Sequence, residues 1–247
     1  MDRGLYVAMT GAKQIMQAQA VNNHNIANIS TIGFRADSVA FDSEPIYGPG
    51  YATRVNAVAG DAGTDFSAGT MENTGRDLDI AINGNGFIAV RGTDGQEAYT
   101  RAGDLRVSPT GAVTTASGLA VLTESGPLVI PPSTNVSIGS DGTVSVLPQG
   151  SAPLAVTQVD RIKLVNPPTS SLQKGDDGLL RLKAGGKAKT DDTVSVTPGM
   201  LESSNVNAAQ SLISMIELQR MYEFQVKGMN SADQNEQTSE QLLSNAS

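Results

Sequence analysis

The sequence predicts an α+β fold, with long N- and C-terminal helices forming a coiled-coil bundle and a central, mostly antiparallel β domain joined to them by extended connectors. Three observations predict it. Apolar and small residues recur at alternating three- and four-residue steps near both ends of the chain, the spacing of a coiled-coil seam. From Leu78 the hydrophobic period drops to two, and short apolar pieces alternate with glycine-containing turns. The stretches between these regions are too rich in glycine and proline to be helical.

Residues 1–35 are expected to hold the N-terminal helix, in which Leu5, Met9, Ala12, Met16, Gln19, Asn23 and Ile26 follow the seam spacing. This seam uses alanine, methionine, glutamine and asparagine more than leucine and isoleucine, so the helix is marginal alone in water and needs a partner. The stretch from Asn22 to Phe41 then ends it. Asparagine side chains bond nearby backbone groups and favour caps and turns over helix interiors, and Gly33 takes a positive φ at little cost. Asn25, Asn28, Thr31, Gly33, Phe34 and Phe41 are therefore read as a helix-to-connector junction. Phe34 and Phe41 suit either a core or an anchor between subunits. On this reading Gly33→Val harms assembly more than it harms the β domain.

Residues 36–77 carry Pro45, Gly48, Pro49, Gly50, Gly60, Gly63, Gly69 and Gly75 and are read as the first extended connector, with a strand-like piece near 51–58. Residues 78–184 form the expected β domain, barrel- or sandwich-like. Leu78, Ile80 and Ile82 alternate with polar or small residues; Asn83-Gly84 and Asn85-Gly86 then signal a hairpin ahead of Phe87–Val90. Asp94-Gly95, Asp141-Gly142 and Asp177-Gly178 mark further turns. Residues 185–203 read as a return connector, and Ser203–Asn205 as the start of a C-terminal helix over 204–247.

In that helix Ala208, Leu212, Met215, Gln219, Tyr222, Val226 and Met229 keep the seam spacing. Ile213, Ile216, Leu218 and Phe224 widen the apolar face beyond a two-stranded seam, toward contact with several helices. Leu5, Met9, Ala12, Met16 and Ile26, with Leu212, Met215, Ile216, Gln219, Tyr222, Val226 and Met229, are the candidate assembly-interface residues. Asp233, Glu236 and Glu240 share one stripe, read as a solvated helix face. Charge also favours pairing of the ends. Residues 1–35 carry Arg3, Lys13 and Arg35 against Asp2, whereas residues 202–247 carry six acids against Arg220 and Lys227.

Composition narrows the function. Among 247 residues, 25 Asp and Glu against 17 Lys and Arg leave a net charge of −8, which opposes nucleic acid as a partner. The chain has no cysteine, so disulfides and thiolate chemistry are excluded. His24 is the sole histidine, too few for a two-histidine metal site, and is read as a helix-end or interface residue. Asp77-x-Asp79-x-x-x-Asn83 has the wrong spacing for a calcium loop. Gly84-x-Gly86 lacks the rest of a dinucleotide fingerprint. No cofactor is expected. The first twenty residues lack the uninterrupted apolar core of a secretory signal peptide, and no apolar run reaches the ~18 residues of a membrane span. Direct membrane insertion is not expected.

Three separated motifs carry a resemblance. Asn25-Ile-Ala-Asn28-Ile-Ser-Thr31-Ile-Gly33-Phe34-Arg35, with Phe41 downstream, is similar to the N-terminal signature of the axial proteins of the bacterial flagellum, the rod and hook subunits. Ile26 stands where leucine is usual and Arg35 where lysine is common. Leu201–Asn207, including Ser204, Asn205, Val206 and Asn207, and Met215–Glu223, including Arg220, resemble that family's C-terminal motif. Asp77–Phe87 and Tyr99–Gly103 resemble the start of its β domain. The opening residues and Gln173–Leu179 look most like the proximal-rod branch, with the distal-rod branch second.

The resemblance implies a structural subunit of the periplasmic rod that transmits motor torque for motility. Such a subunit is exported uncleaved through the flagellar type III apparatus and stacks helically through its terminal helices. The partners so implied are copies of the chain, other rod subunits, the export apparatus and surrounding ring proteins. A secreted coiled-coil binding module or adhesin is the competing class. An enzyme is the weakest reading, because no nucleophile–base pair or metal cluster emerges from the residues.

Overall fold

The N-terminal periodic stretch forms a helix, α1 (Gly4–Ala27), and the C-terminal one a longer helix, α2 (Ala208–Asn245). The computed structural model describes residues 4–45, 55–60, 63–148 and 156–245. At about 1.5 Å per residue, α1 runs about 36 Å and α2 about 57 Å. The chain divides into two units, the first comprising Met1–Asn28, Ala36–Asp65 and Val206–Ser247, the second Ile29–Arg35 and Phe66–Asn205.

In the first unit α1 and α2 pack along each other, more extensively than any other pair of elements. α1 buries a narrow stripe of Ala12, Ile15 and Ala18. Small residues let the helices approach: a Cβ added at Gly11 would lie 3.1 Å from the Gln225 side chain. An antiparallel pair, Phe41–Pro45 with Val55–Ala59, packs against α1 through its second strand. A short pair joins Asp37–Ser38 to Gly63–Thr64. The stretch expected as an extended connector carries these short strands; of the strand-like piece expected near 51–58, residues 55–58 lie in one, and residues 51–54 lie outside the described residues.

The second unit is built from short antiparallel strands. A five-stranded sheet runs in the order Leu164–Val165, Phe87–Arg91, Glu97–Thr100, Leu180–Leu182, Leu172–Lys174. A three-stranded sheet joins Ser133–Ile138, Thr143–Pro148 and Thr157–Arg161. The strand Phe87–Arg91 is buried on both faces. Ile88 and Val90 enter one apolar core with Ile80, Ile82, Leu105 and Val121, while Phe87 and Ala89 enter a second with Tyr99, Val165 and Leu180. Alternate side chains of a strand point to opposite faces, so one strand can serve both cores.

Asp94-Gly95, Asp141-Gly142 and Asp177-Gly178 each close a hairpin between adjacent strands. The Asn83-Gly84 and Asn85-Gly86 turns do not. Ile80–Asn83 pairs with Ser195–Pro198, and Phe87–Arg91 pairs elsewhere, so the chain changes sheets at Gly86. Gly86 has φ 135° and its missing Cβ would meet Val194 at 2.7 Å, which reserves the position for glycine. The expected return connector supplies two strands, Ser195–Pro198 and Met200–Glu202, the latter paired with Met71–Asn73.

Candidate functional site: a buried junction and the helix faces

The asparagines of the junction each have a defined task. Asn22 Nδ2 donates to the Ser211 carbonyl on α2 at 2.9 Å. Asn25 bonds the backbone of Asp37 twice, donating to its carbonyl at 2.8 Å and accepting its N–H at 2.9 Å, as a neighbouring strand would. Asn28 Nδ2 donates to the His24 carbonyl at 2.9 Å, which also accepts the Asn28 backbone N–H at 3.2 Å, closing the end of α1. His24 itself, in the last turn of α1, places Nδ1 3.0 Å from an Asp37 carboxylate oxygen.

The next seven residues, Ile29–Arg35, belong to the second unit. Thr31 is exposed and its carbonyl accepts the Phe34 N–H at 3.3 Å, closing a turn in which Gly33 has φ 67°. Gly33 N–H donates to the Glu202 carbonyl at 2.8 Å. A Cβ at Gly33 would sit 2.3 Å from the carbonyl carbon of Arg101. The residue therefore touches the β unit's own backbone, so Gly33→Val strikes that unit directly. Phe34 is buried, with Lys174 Nζ 3.9 Å from its ring centroid, while the same ammonium donates to the Arg35 carbonyl at 2.7 Å.

Beneath this turn lies a buried ionic cluster. Glu202 is 0% exposed, Arg35 3% and Arg101 5%. Arg35 Nη2 reaches Glu202 Oε1 at 2.6 Å, and Arg101 Nη1 reaches Oε2 at 2.9 Å. The Gly69 N–H also donates to Oε1, at 2.9 Å. Arg101 turns its other amino group to the Gly84 carbonyl at 2.6 Å and lies over the Phe87 ring. Burial opposes the Glu202 charge, but the hydrogen bonds and charges of Arg35 and Arg101 outweigh it and hold the carboxyl below its usual range. Burial likewise pulls the Arg101 guanidinium down, against the raising effect of Glu202. The Nε and Nη1 of Arg35 and the Nε of Arg101 are buried with no hydrogen-bond partner among the described residues.

The C-terminal motif completes the junction. Ser204 is buried. Asn205 N–H donates to the Phe34 carbonyl at 3.4 Å, and its side chain donates to Ser67 at 3.2 Å. Val206 is half-buried. Asn207, not Ser203–Asn205, starts the helix: its Oδ1 accepts the Gln210 N–H at 3.1 Å, an N-cap to α2. Phe41 is half-exposed in its strand, and Arg220 is exposed on α2.

Two segments match models of known families. Residues 81–146 match the flagellar hook protein FlgE/F/G D1 domain, and residues 197–242 match the C-terminal part of flagellar basal body rod FlgEFG proteins. Over its whole length the chain is similar to curated relatives. It is 41% identical over 250 residues to the flagellar basal-body rod protein FlgF of Escherichia coli K12, covering 99% of both chains. It is 39% identical to the FlgF of Salmonella typhimurium LT2, again over 99% of both. It is 33% identical to the flagellar basal-body rod protein FlgG of Buchnera aphidicola subsp. Schizaphis graminum, covering 96% of this chain and 98% of that one. The chain belongs to the flagellar basal-body rod protein family. Within it the chain is FlgF-like, a structural subunit of the rod and not an enzyme.

For a basal-body rod protein the surfaces matter more than any cleft. Of the seam residues on α1, Ala12 is buried, Leu5 and Ile26 are half-buried, and Met9 and Met16 are exposed. On α2, Met215, Tyr222, Val226 and Met229 are half-buried, whereas Leu212, Ile216 and Gln219 are exposed. Phe224 is 71% exposed and Ile216 54%. The Asp233 side chain accepts a bond from Gln237 at 3.1 Å; the Glu236 and Glu240 side chains lie outside the described residues. No helix among the described residues is long and apolar enough to cross a membrane. Spacing did not reveal that Glu202 and Arg101 meet. The one signal was their charge within otherwise apolar or small-residue segments.

Proposed function

We propose that this rod protein assembles helically in the proximal rod through α1 and α2, as a coiled-coil bundle with neighbouring subunits, and passes motor torque along the stack. The observation that carries the reading is the apolar surface left uncovered on both helices: Met9 and Met16 on α1, and Leu212, Ile216 and Phe224 on α2. Exposed apolar area of this extent marks an interface in a water-soluble chain. Adaptable methionines suit neighbours that are not identical. The partners are copies of the chain and other rod subunits, with the export apparatus engaged before assembly and ring proteins around the finished rod. The site is the periplasmic basal body, reached without a cleaved signal peptide.

The test is to replace Ile216 by aspartate in a cell lacking the native copy. A charge at the centre of an interface leaves an uncompensated buried group, so the variant should be absent from isolated basal bodies and the cells should not swim. Its β unit should melt as in the native chain. Normal incorporation with normal swimming would sink the reading.

A further inference from the structure

The helical unit holds both a groove and a ridge of matching chemistry. The groove, about 290 Å³, lies between α1, α2 and the start of the Phe41–Pro45 strand. Its apolar wall is Val39, Phe41, Leu218 and Met221, and Asp37 and Glu217 give it an acidic margin. The ridge is on α1. Tyr6, Met9, Lys13 and Met16 are all exposed and follow three- and four-residue steps, so they form one stripe. That stripe faces away from Ala12, Ile15 and Ala18, which pack inward.

Ridge and groove cannot meet within one chain. The groove takes its α1 contribution from Ala18, Val21, Asn22 and Asn25, further along the same uninterrupted helix that carries the ridge. A helix cannot fold back on its own flank. A surface complementary to a different surface of the same chain makes a head-to-tail contact, which propagates into a helical array instead of closing as a dimer.

We propose that the Tyr6–Met9–Lys13–Met16 ridge of one copy docks in the Phe41–Leu218–Met221 groove of a second copy, with Lys13 set against Glu217. This rests on the rod-subunit reading above and names the surfaces it uses. Two properties select a second copy of this chain as occupant. The ridge supplies apolar side chains of the kind the groove exposes, and its single cation meets the groove's acidic margin.

The chain has no cysteine, so a disulfide between engineered positions can be assigned without ambiguity. Full-length chains bearing Met9→Cys and chains bearing Met221→Cys would be produced together in cells lacking the native copy, and basal bodies isolated after mild oxidation. The expected product is a disulfide-linked pair of two chains. Lys13→Glu or Glu217→Lys alone should lower its yield about threefold, the size of an exposed ion pair's contribution. Lys13→Glu and Glu217→Lys together should restore it, which a folding defect would not. Incorporated chains that form no 9–221 disulfide overturn the pairing, as does a yield indifferent to both swaps. Capture of a different rod subunit at position 9 overturns the choice of occupant. If the native chain is itself absent from basal bodies, the rod reading falls and the pairing with it.

Discussion

A glutamate with no exposed surface and two arginine partners makes its surroundings sensitive to acid. The folded Glu202 holds its proton less tightly than the unfolded one, whose ordinary value is about 4.5. Between those two values the unfolded chain binds more protons, so Glu202 contributes stability above about pH 4.5 and loses it as pH falls through the folded value. Glu202→Gln removes the charge and leaves two buried guanidinium groups uncompensated. At pH 7 it should cost the β unit about 3 kcal/mol, measured by urea denaturation, and its stability should change less than the native chain's on going from pH 6 to pH 3. Gly33→Val should act on the same unit. A Cβ within 2.3 Å of backbone, at a φ that β-branched residues avoid, forces the Ile29–Arg35 turn off its seat. Proteolysis of the purified variant should cleave near residues 29–35 at a rate the native chain does not show. Gly33 was legible in the sequence as a turn glycine. Its neighbour Arg101 was not, because local spacing carries no information about contact between residues 68 positions apart.

At the scale of elements, local chemistry was read well where the partner is local. α1 and α2 followed from their period, and three Asp-Gly turns stand where turns were expected and close hairpins, because adjacent strands joined by loops of four or five residues have no nearer partner. The Asn-Gly pairs misled for a long-range reason. Ile80–Asn83 finds its partner in Ser195–Pro198, more than a hundred residues on, and the turn serves a change of sheet. The start of α2 shows the same limit at short range. Ser203, Ser204 and Asn205 are all capping residue types, but Ser204 is buried, Asn205 is bonded to Phe34 and Ser67, and the cap falls to Asn207. Asn207→Ala should therefore lower helix stability by about 1 kcal/mol, seen as reduced helical circular dichroism on warming, while Ser203→Ala should leave it unchanged.

For the whole molecule, the plan of helix, β domain and helix was visible in hydrophobic period alone. The finer division was not. The chain passes between the two units at residues 28/29, 35/36, 65/66 and 205/206, so the turn after α1 visits the β unit before the chain returns to form the Phe41–Pro45 strand. Such a path is set by the Arg35–Glu202 pair and the Gly33 and Asn205 hydrogen bonds, all of which join residues far apart in sequence. The exposed helix faces are equally beyond single-chain spacing, which marks an apolar position without saying whether the same chain or another covers it.

The tie between Phe34–Arg35 and Glu202–Asn205 has a bearing on how this architecture can change. Because the segments on either side of the β unit are hydrogen-bonded to each other, their separation does not depend on what lies between them. A hairpin lengthened, shortened or exchanged within residues 105–161, clear of the Lys174 contacts with Phe34 and Arg35, leaves those two ends where they were. The middle of the chain is therefore free to diversify as an insert whose two ends stay held to each other.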